Sequence, residues 1–126
     1  MIAADSSSLI AYLSGAAGAD VDAVDRALGD AQLCLPPVVL TELLSDSKLP
    51  KPVRSLLTRV PLIEPTAGFW ERAGDLRARV MARKRRARLA DTLIAQSCLD
   101  GGLVLITRDR DFDACAEIAR LKILGT

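Results

Sequence analysis

The chain contains no histidine among its 126 residues. That single absence excludes histidine general acid–base catalysis, Ser-His-Asp triads and His-ligated metals together. Aromatic residues amount to 3%. Nucleic-acid surfaces built on stacking need more rings than this, so Tyr12, Phe69, Trp70 and Phe112 are expected to stack little with bases. Phe69 and Trp70 are read instead as core or dimer-interface residues. The cysteines, Cys34, Cys98 and Cys115, are odd in number and form no CxxC pair. This excludes a thiolate zinc site and reads as small buried apolar residues in a reducing compartment. No apolar run approaches the roughly 18–20 residues of a membrane span, so no membrane partner is expected. The first residues carry Asp5 and no basic segment, hence no signal peptide and a cytoplasmic location. Net charge is +1, so the global field points to no class of partner.

What remains is a chain of one-domain length, residues 1–126, with 50% hydrophobic residues, enough for a core. Apolar runs at 1–4, 32–35, 62–64, 103–107 and 121–124 read as strands. Helical spacing marks 7–13, 20–28, 38–44, 50–60, 67–86, 90–99 and 111–119. Strands alternate with helices, and the strand runs are apolar on both faces. The expected architecture is therefore α/β: a central, mainly parallel sheet of four to five strands covered by helices. Ligands of such sheets bind at the carboxyl ends of the strands.

Four acids stand at such places or inside apolar segments. Asp5 follows the first strand and Asp109 follows the strand 103–107. Glu42 interrupts Val38-Val-Leu-Thr-Glu-Leu-Leu44, and Asp91 opens the apolar run 92–99. Taken singly, each has a simpler role, as a helix cap, a turn residue or a solvated helix position. Taken together, carboxylates beside core segments need partners, because an unpaired buried charge is costly. If the strand ends converge, the four form one acidic pocket that a divalent cation would stabilise. Hard carboxylate oxygens suit Mg²⁺ or Mn²⁺, and such an ion activates a water without histidine.

The segments that carry these acids are Asp5-Ser-Ser-Ser-Leu-Ile10, Thr41-Glu-Leu43, Asp91-Thr-Leu-Ile-Ala95 and Leu105-Ile-Thr-Arg-Asp-Arg-Asp-Phe112. In this order they resemble the sequence blocks of PIN-domain ribonucleases, with the nearest likeness to VapC toxins of toxin–antitoxin pairs. The resemblance spans nearly the whole chain. It implies a three-layer α/β/α fold and a Mg²⁺- or Mn²⁺-dependent endoribonuclease acting on RNA. It also implies a homodimer, a VapB-like antitoxin and a larger complex of the two. Carried over by motif, Asp5, Glu42, Asp91 and Asp109 match the acidic quartet. Asp5, Asp91 and Asp109 are expected to hold the metal, with Glu42 helping to hold or orient the water. Ser7, Thr107 and Asp111 match accessory positions.

The segment before Asp91 is more basic than in many relatives. Arg83, Lys84, Arg85, Arg86 and Arg88 are read as contacts to the RNA backbone, since phosphate affinity comes from such clusters; the simpler reading is the solvated end of a long helix. A catalytically inactive PIN-like module that binds RNA or protein is the alternative function. A phosphotransferase with Asp5 as nucleophile ranks below both, because there is no second acid two residues on and no lysine at the place after 103–107 where such enzymes would want one. For the antitoxin, the helices at 9–13 and 21–28 are candidate groove walls, or ordinary core.

Overall fold

A computed structural model describes residues 1–125. Ile2–Ala4 (β1) leads through Ser6–Leu13 (α1) and Ala19–Gly29 (α2) to Leu33–Cys34 (β2). Pro37–Leu44 (α3), Lys51–Arg59 (α4), Phe69–Ala82 (α5) and Leu89–Gly101 (α6) precede Leu105–Ile106 (β3). A 3-10 turn, Arg110–Phe112, and Asp113–Ala119 (α7) then lead to Ile123–Leu124 (β4). The four strands pair in parallel in the order β2-β1-β3-β4. Ala3 stands opposite both Cys34 and Leu105, and Ile106 stands opposite Ala4 and Leu124.

These strands are two or three residues long, so the sheet draws its stability from what covers it. Ala3, Ala4, Leu105 and Ile106 are all fully buried, as a parallel sheet clad on both faces requires. Leu9 of α1, Val24 of α2, Val39 of α3, Val80 of α5, Ile94 of α6 and Phe112 close the core around them. From β1 the chain moves to β2 on one side, and from β3 to β4 on the other. The crevice between the carboxyl ends of β1 and β3 is therefore a topological switch point. Asp5 and Asp109 follow those two strands.

Three expectations change. At 62–64 no strand forms. Leu62 makes one parallel bridge to Leu35, and Pro61 and Pro65 on either side lack the N–H groups that would extend it. Trp70 is not core: it is 63% exposed and meets the buried Phe69 edge-on at 4.9 Å. The helix expected to reach Arg86 stops at Ala82. Lys84 takes the left-handed conformation, φ 55°, and its N–H donates to Met81 O at 2.8 Å while that of Arg85 donates to Val80 O at 3.3 Å. This is a Schellman end with lysine where glycine usually stands. Arg77 Nε then pins the following loop through Ala87 O at 2.8 Å. The basic segment thus begins at the capped end of α5, with Arg83 and Lys84, and continues as a loop.

A side chain in the left-handed region costs about 1 kcal/mol. Lys84→Gly is expected to raise stability by about 0.5–1 kcal/mol in urea unfolding, because glycine adopts this conformation without the Cβ clash.

Candidate metal centre

Asp5 caps α1. Its carboxylate is 3% exposed and accepts hydrogen bonds from Ser7 Oγ at 2.8 and 2.9 Å, Ser8 N at 3.2 Å and Thr107 Oγ1 at 2.7 Å. Burial pushes its pKa up, and the bonds from Thr107, Ser8 and Ser7 partly offset that. Thr107 does two things at once. Its hydroxyl donates to Asp5 and accepts from Asp109 N at 3.0 Å. Asp109 Oδ1 in turn accepts from Asp111 N at 2.9 Å, an Asx turn that starts the 3-10 turn. The two expected accessory hydroxyls, Ser7 and Thr107, therefore both contact Asp5.

Asp91 is not the cap of α6; Arg88 is, without a side-chain cap bond, and Asp91 lies in the first turn. There it meets Asp109 and Asp111, with one carboxylate oxygen from each of the three lying within 4.8 Å of the others. Asp91 Oδ2 is buried and has no hydrogen-bond partner among the described residues. Burial first, then the charges of Asp109 and Asp111, raise the Asp91 pKa to about 6; Arg88 acts the other way and Glu42 adds to the rise. Glu42 is exposed on α3 and accepts from Ser6 Oγ at 3.2 Å, a rim position. The tight trio thus includes Asp111, expected only as accessory. Asp5 stands beside that trio, close enough for the Asp109 charge to act on it.

An orphaned buried carboxylate oxygen facing two more carboxylates is an arrangement that protonation or a cation must relieve. All the donors are hard oxygens, which fit Mg²⁺ or Mn²⁺. Thiol chemistry is not on offer here. The cysteines are buried and free, and burial pushes the Cys98 thiol up to about 12.

The basic segment divides. Arg86 Nη1 lies 3.8 Å from Asp111 Oδ2, and Arg88 acts electrostatically on Asp91. Arg85 pairs with Glu117 at 2.7 Å, whereas Arg83 and Lys84 stand exposed on the turn. Next to Glu42, Ile10, Leu13, Leu43, Leu49 and Val53 line an apolar groove of 330 Å³. Its walls are α1 and the α3–α4 region. The segment 21–28 does not line it; Val24 and Ala27 of α2 are buried in the core.

Sequence reasoning missed Asp20. It is fully buried and accepts from Ser8 Oγ at 2.8 Å, Arg108 Nε at 2.7 Å and Arg108 Nη2 at 3.0 Å. In the sequence it looks like an ordinary acid in the first turn of a surface helix. Nothing in its sequence neighbourhood marks it as buried.

A parallel α/β sheet with clustered carboxylates at its switch point defines a class of acid-centred α/β proteins. The PIN domain family model matches residues 2–118. The chain belongs to the PIN domain family, whose members are generally nucleases and typically use divalent metals. Solved structures share the fold. VapBC2 from Rickettsia felis, bound to a DNA fragment from its promoter, is 19% identical with a TM-score of 0.77, covering 100% of this chain and 99% of that one. FitAcB from Neisseria gonorrhoeae is 19% identical with a TM-score of 0.69, covering 98% and 96%. VapBC-5 from Mycobacterium tuberculosis, a member of the VapBC family of toxin–antitoxin systems, is 21% identical with a TM-score of 0.60, covering 75% and 82%. No curated protein matches the chain in sequence.

The raised Asp91 pKa means that the folded chain holds this proton more tightly than the unfolded chain does. The resulting penalty is absent below about pH 4, the unfolded value, and complete above about pH 6, where it reaches up to about 3 kcal/mol. Metal-free protein is therefore expected to be more stable to urea at pH 5 than at pH 7.5. Asp91→Asn should flatten that difference, and Mn²⁺ should raise the wild-type melting temperature at pH 7.5.

Proposed function

We propose that this chain is a Mg²⁺- or Mn²⁺-dependent endoribonuclease of the VapC type, the toxin of a toxin–antitoxin pair, with residues 1–126 as one catalytic domain. The observation that carries the reading is the partnerless buried oxygen of Asp91 beside Asp109 and Asp111. Family membership supports the nuclease class.

In this reading Asp5, Asp91 and Asp109 hold the cation, and Asp111 joins them because it lies within the same 4.8 Å group. A divalent ion bound there supplies an acidified water and neutralises charge on the phosphodiester. The protein's own work is to hold the carboxylates in place. Ser7 and Thr107 orient Asp5 through their hydroxyls. Thr107 fixes the Asp109 backbone. Glu42, at the solvent rim, orients the attacking water. Arg86 and Arg88, the cations of the basic segment nearest the acids, take phosphates of the RNA backbone, with Arg83, Lys84 and Arg85 further out along the strand.

The partner proposed for the apolar groove beside Glu42 is a VapB-like antitoxin. Apolar residues lining a groove at the mouth of the acidic pocket suit a segment that excludes RNA while bound. A homodimer is proposed as well, with the exposed Trp70 as a candidate interface residue, and the compartment is the cytoplasm. No described helix is long and apolar enough to cross a membrane.

The test is cleavage of a mixed RNA pool by purified protein in Mg²⁺ or Mn²⁺. EDTA and Asp91→Asn should each lower the rate by on the order of 100-fold or more. RNA binding without cleavage in either metal would favour the inactive binding module instead.

A further inference from the structure

Past the carboxyl ends of β3 and β4, Thr107, Arg108, Asp109, Arg110 and Asp113, with Ile123 and Gly125, line a polar cleft of 420 Å³. Its charged residues are two arginines, Arg108 and Arg110, and two aspartates, Asp109 and Asp113. Arg108 is the fixed cation there. Its Nε and Nη2 grip the carboxylate of Asp20, and Nη2 also donates to Ala17 O at 3.1 Å. Nη1 makes no hydrogen bond among the described residues, and the side chain is 32% exposed while its carboxylate partner is 0% exposed. The buried acid thus holds one edge of a partly exposed guanidinium and leaves Nη1 unpartnered among those residues.

The hold is closed into a ring. Ser8 donates its hydroxyl to Asp20 and its backbone N–H to Asp5. Thr107, adjacent to Arg108, donates to the other oxygen of Asp5. The arginine's orientation is therefore referenced to the same carboxylate that anchors the candidate metal centre, and Asp5 acts on it electrostatically. A guanidinium held through Nε and Nη2, with both N–H groups of Nη1 unpartnered among the described residues, is suited to a charge-assisted contact with a phosphate oxygen.

Resting on the nuclease reading above, we propose that Arg108 contacts an RNA phosphate flanking the cleavage point, with Asp20 as its positioning residue. The competing role is purely structural, an arginine that only neutralises a buried acid. Arg108→Gln alone does not separate the two, since it strands Asp20 and threatens folding. The double variant Asp20→Asn/Arg108→Gln removes both charges together and keeps side-chain hydrogen bonding.

The experiment measures single-stranded RNA affinity by fluorescence anisotropy across a salt series, in an Asp91→Asn background so that no strand is cut. Thermal unfolding runs alongside. The double variant is expected to fold, to bind RNA about tenfold more weakly, and to lose about 0.7 from the slope of log K against log salt, the value of one single-strand phosphate contact. Arg108→Lys should keep the slope and still bind more weakly, because the charge remains and the fork is lost. A folded double variant with the parent's affinity and slope overturns the proposal and leaves Arg108 as a structural staple. If the parent binds no RNA and the wild type cuts none, the nuclease reading itself fails and this proposal falls with it. Cleavage by the wild type with an unaffected double variant isolates the failure to Arg108.

Discussion

The hydrogen bond from Thr107 to Asp5 is the join on which the rest of the site hangs. It connects the carboxyl ends of the two central strands, and the same hydroxyl accepts the N–H that sets Asp109. It adds a side-chain tie to the backbone bond from Asp5 N–H to Ile106 O at 3.1 Å, which joins the same strand ends. The strands themselves supply little more, since each is only two or three residues long. A buried hydroxyl between two charged groups is a small device with a large reach, because an interior of low dielectric strengthens the bonds it makes.

Around that join the charges are distributed unevenly. Asp5 and Asp20 are buried and supplied with donors from serine, threonine and arginine. Asp91 is buried on one oxygen and supplied with nothing. The first pair behaves as framework, satisfied as buried polar groups generally are. The second case departs from that rule within the same crevice, and such departures concentrate where proteins bind or react. The contrast between neighbouring carboxylates, more than the number of acids, singles out Asp91 as the one among the described residues with a buried oxygen left over to give to a ligand.

Much of the architecture could be read from the chain. Apolar runs alternating with helical spacing led to a parallel sheet, and acids placed after strands 1–4 and 103–107 led to its carboxyl edge. The order of the four acidic segments led to the PIN family. What could not be read depends on contacts between distant segments. The end of α5 was hidden because lysine occupies the position that glycine would have advertised. Strand 62–64 looked credible from its apolar residues, but its prolines leave a single bridge. Asp111 looked secondary because it follows Asp109 at spacing two; the Asx turn brings both side chains to Asp91. Asp20 gave no sign of burial, since its neighbours in sequence, Asp22 and Asp25, are exposed.

The separation of 102 residues between Thr107 and Asp5 bears on synthesis as well as on structure. A ribosome that has made the first hundred residues has made Asp5, Glu42 and Asp91, yet neither Thr107, which ties the first to the neighbouring strand, nor Asp109 and Asp111, which group with the last. The crevice has no second wall until Leu105 and the residues after it emerge and pair with β1. The acidic centre is therefore among the last parts of the molecule to come into being, and a prematurely ended chain carries its carboxylates without the geometry that would make them act together.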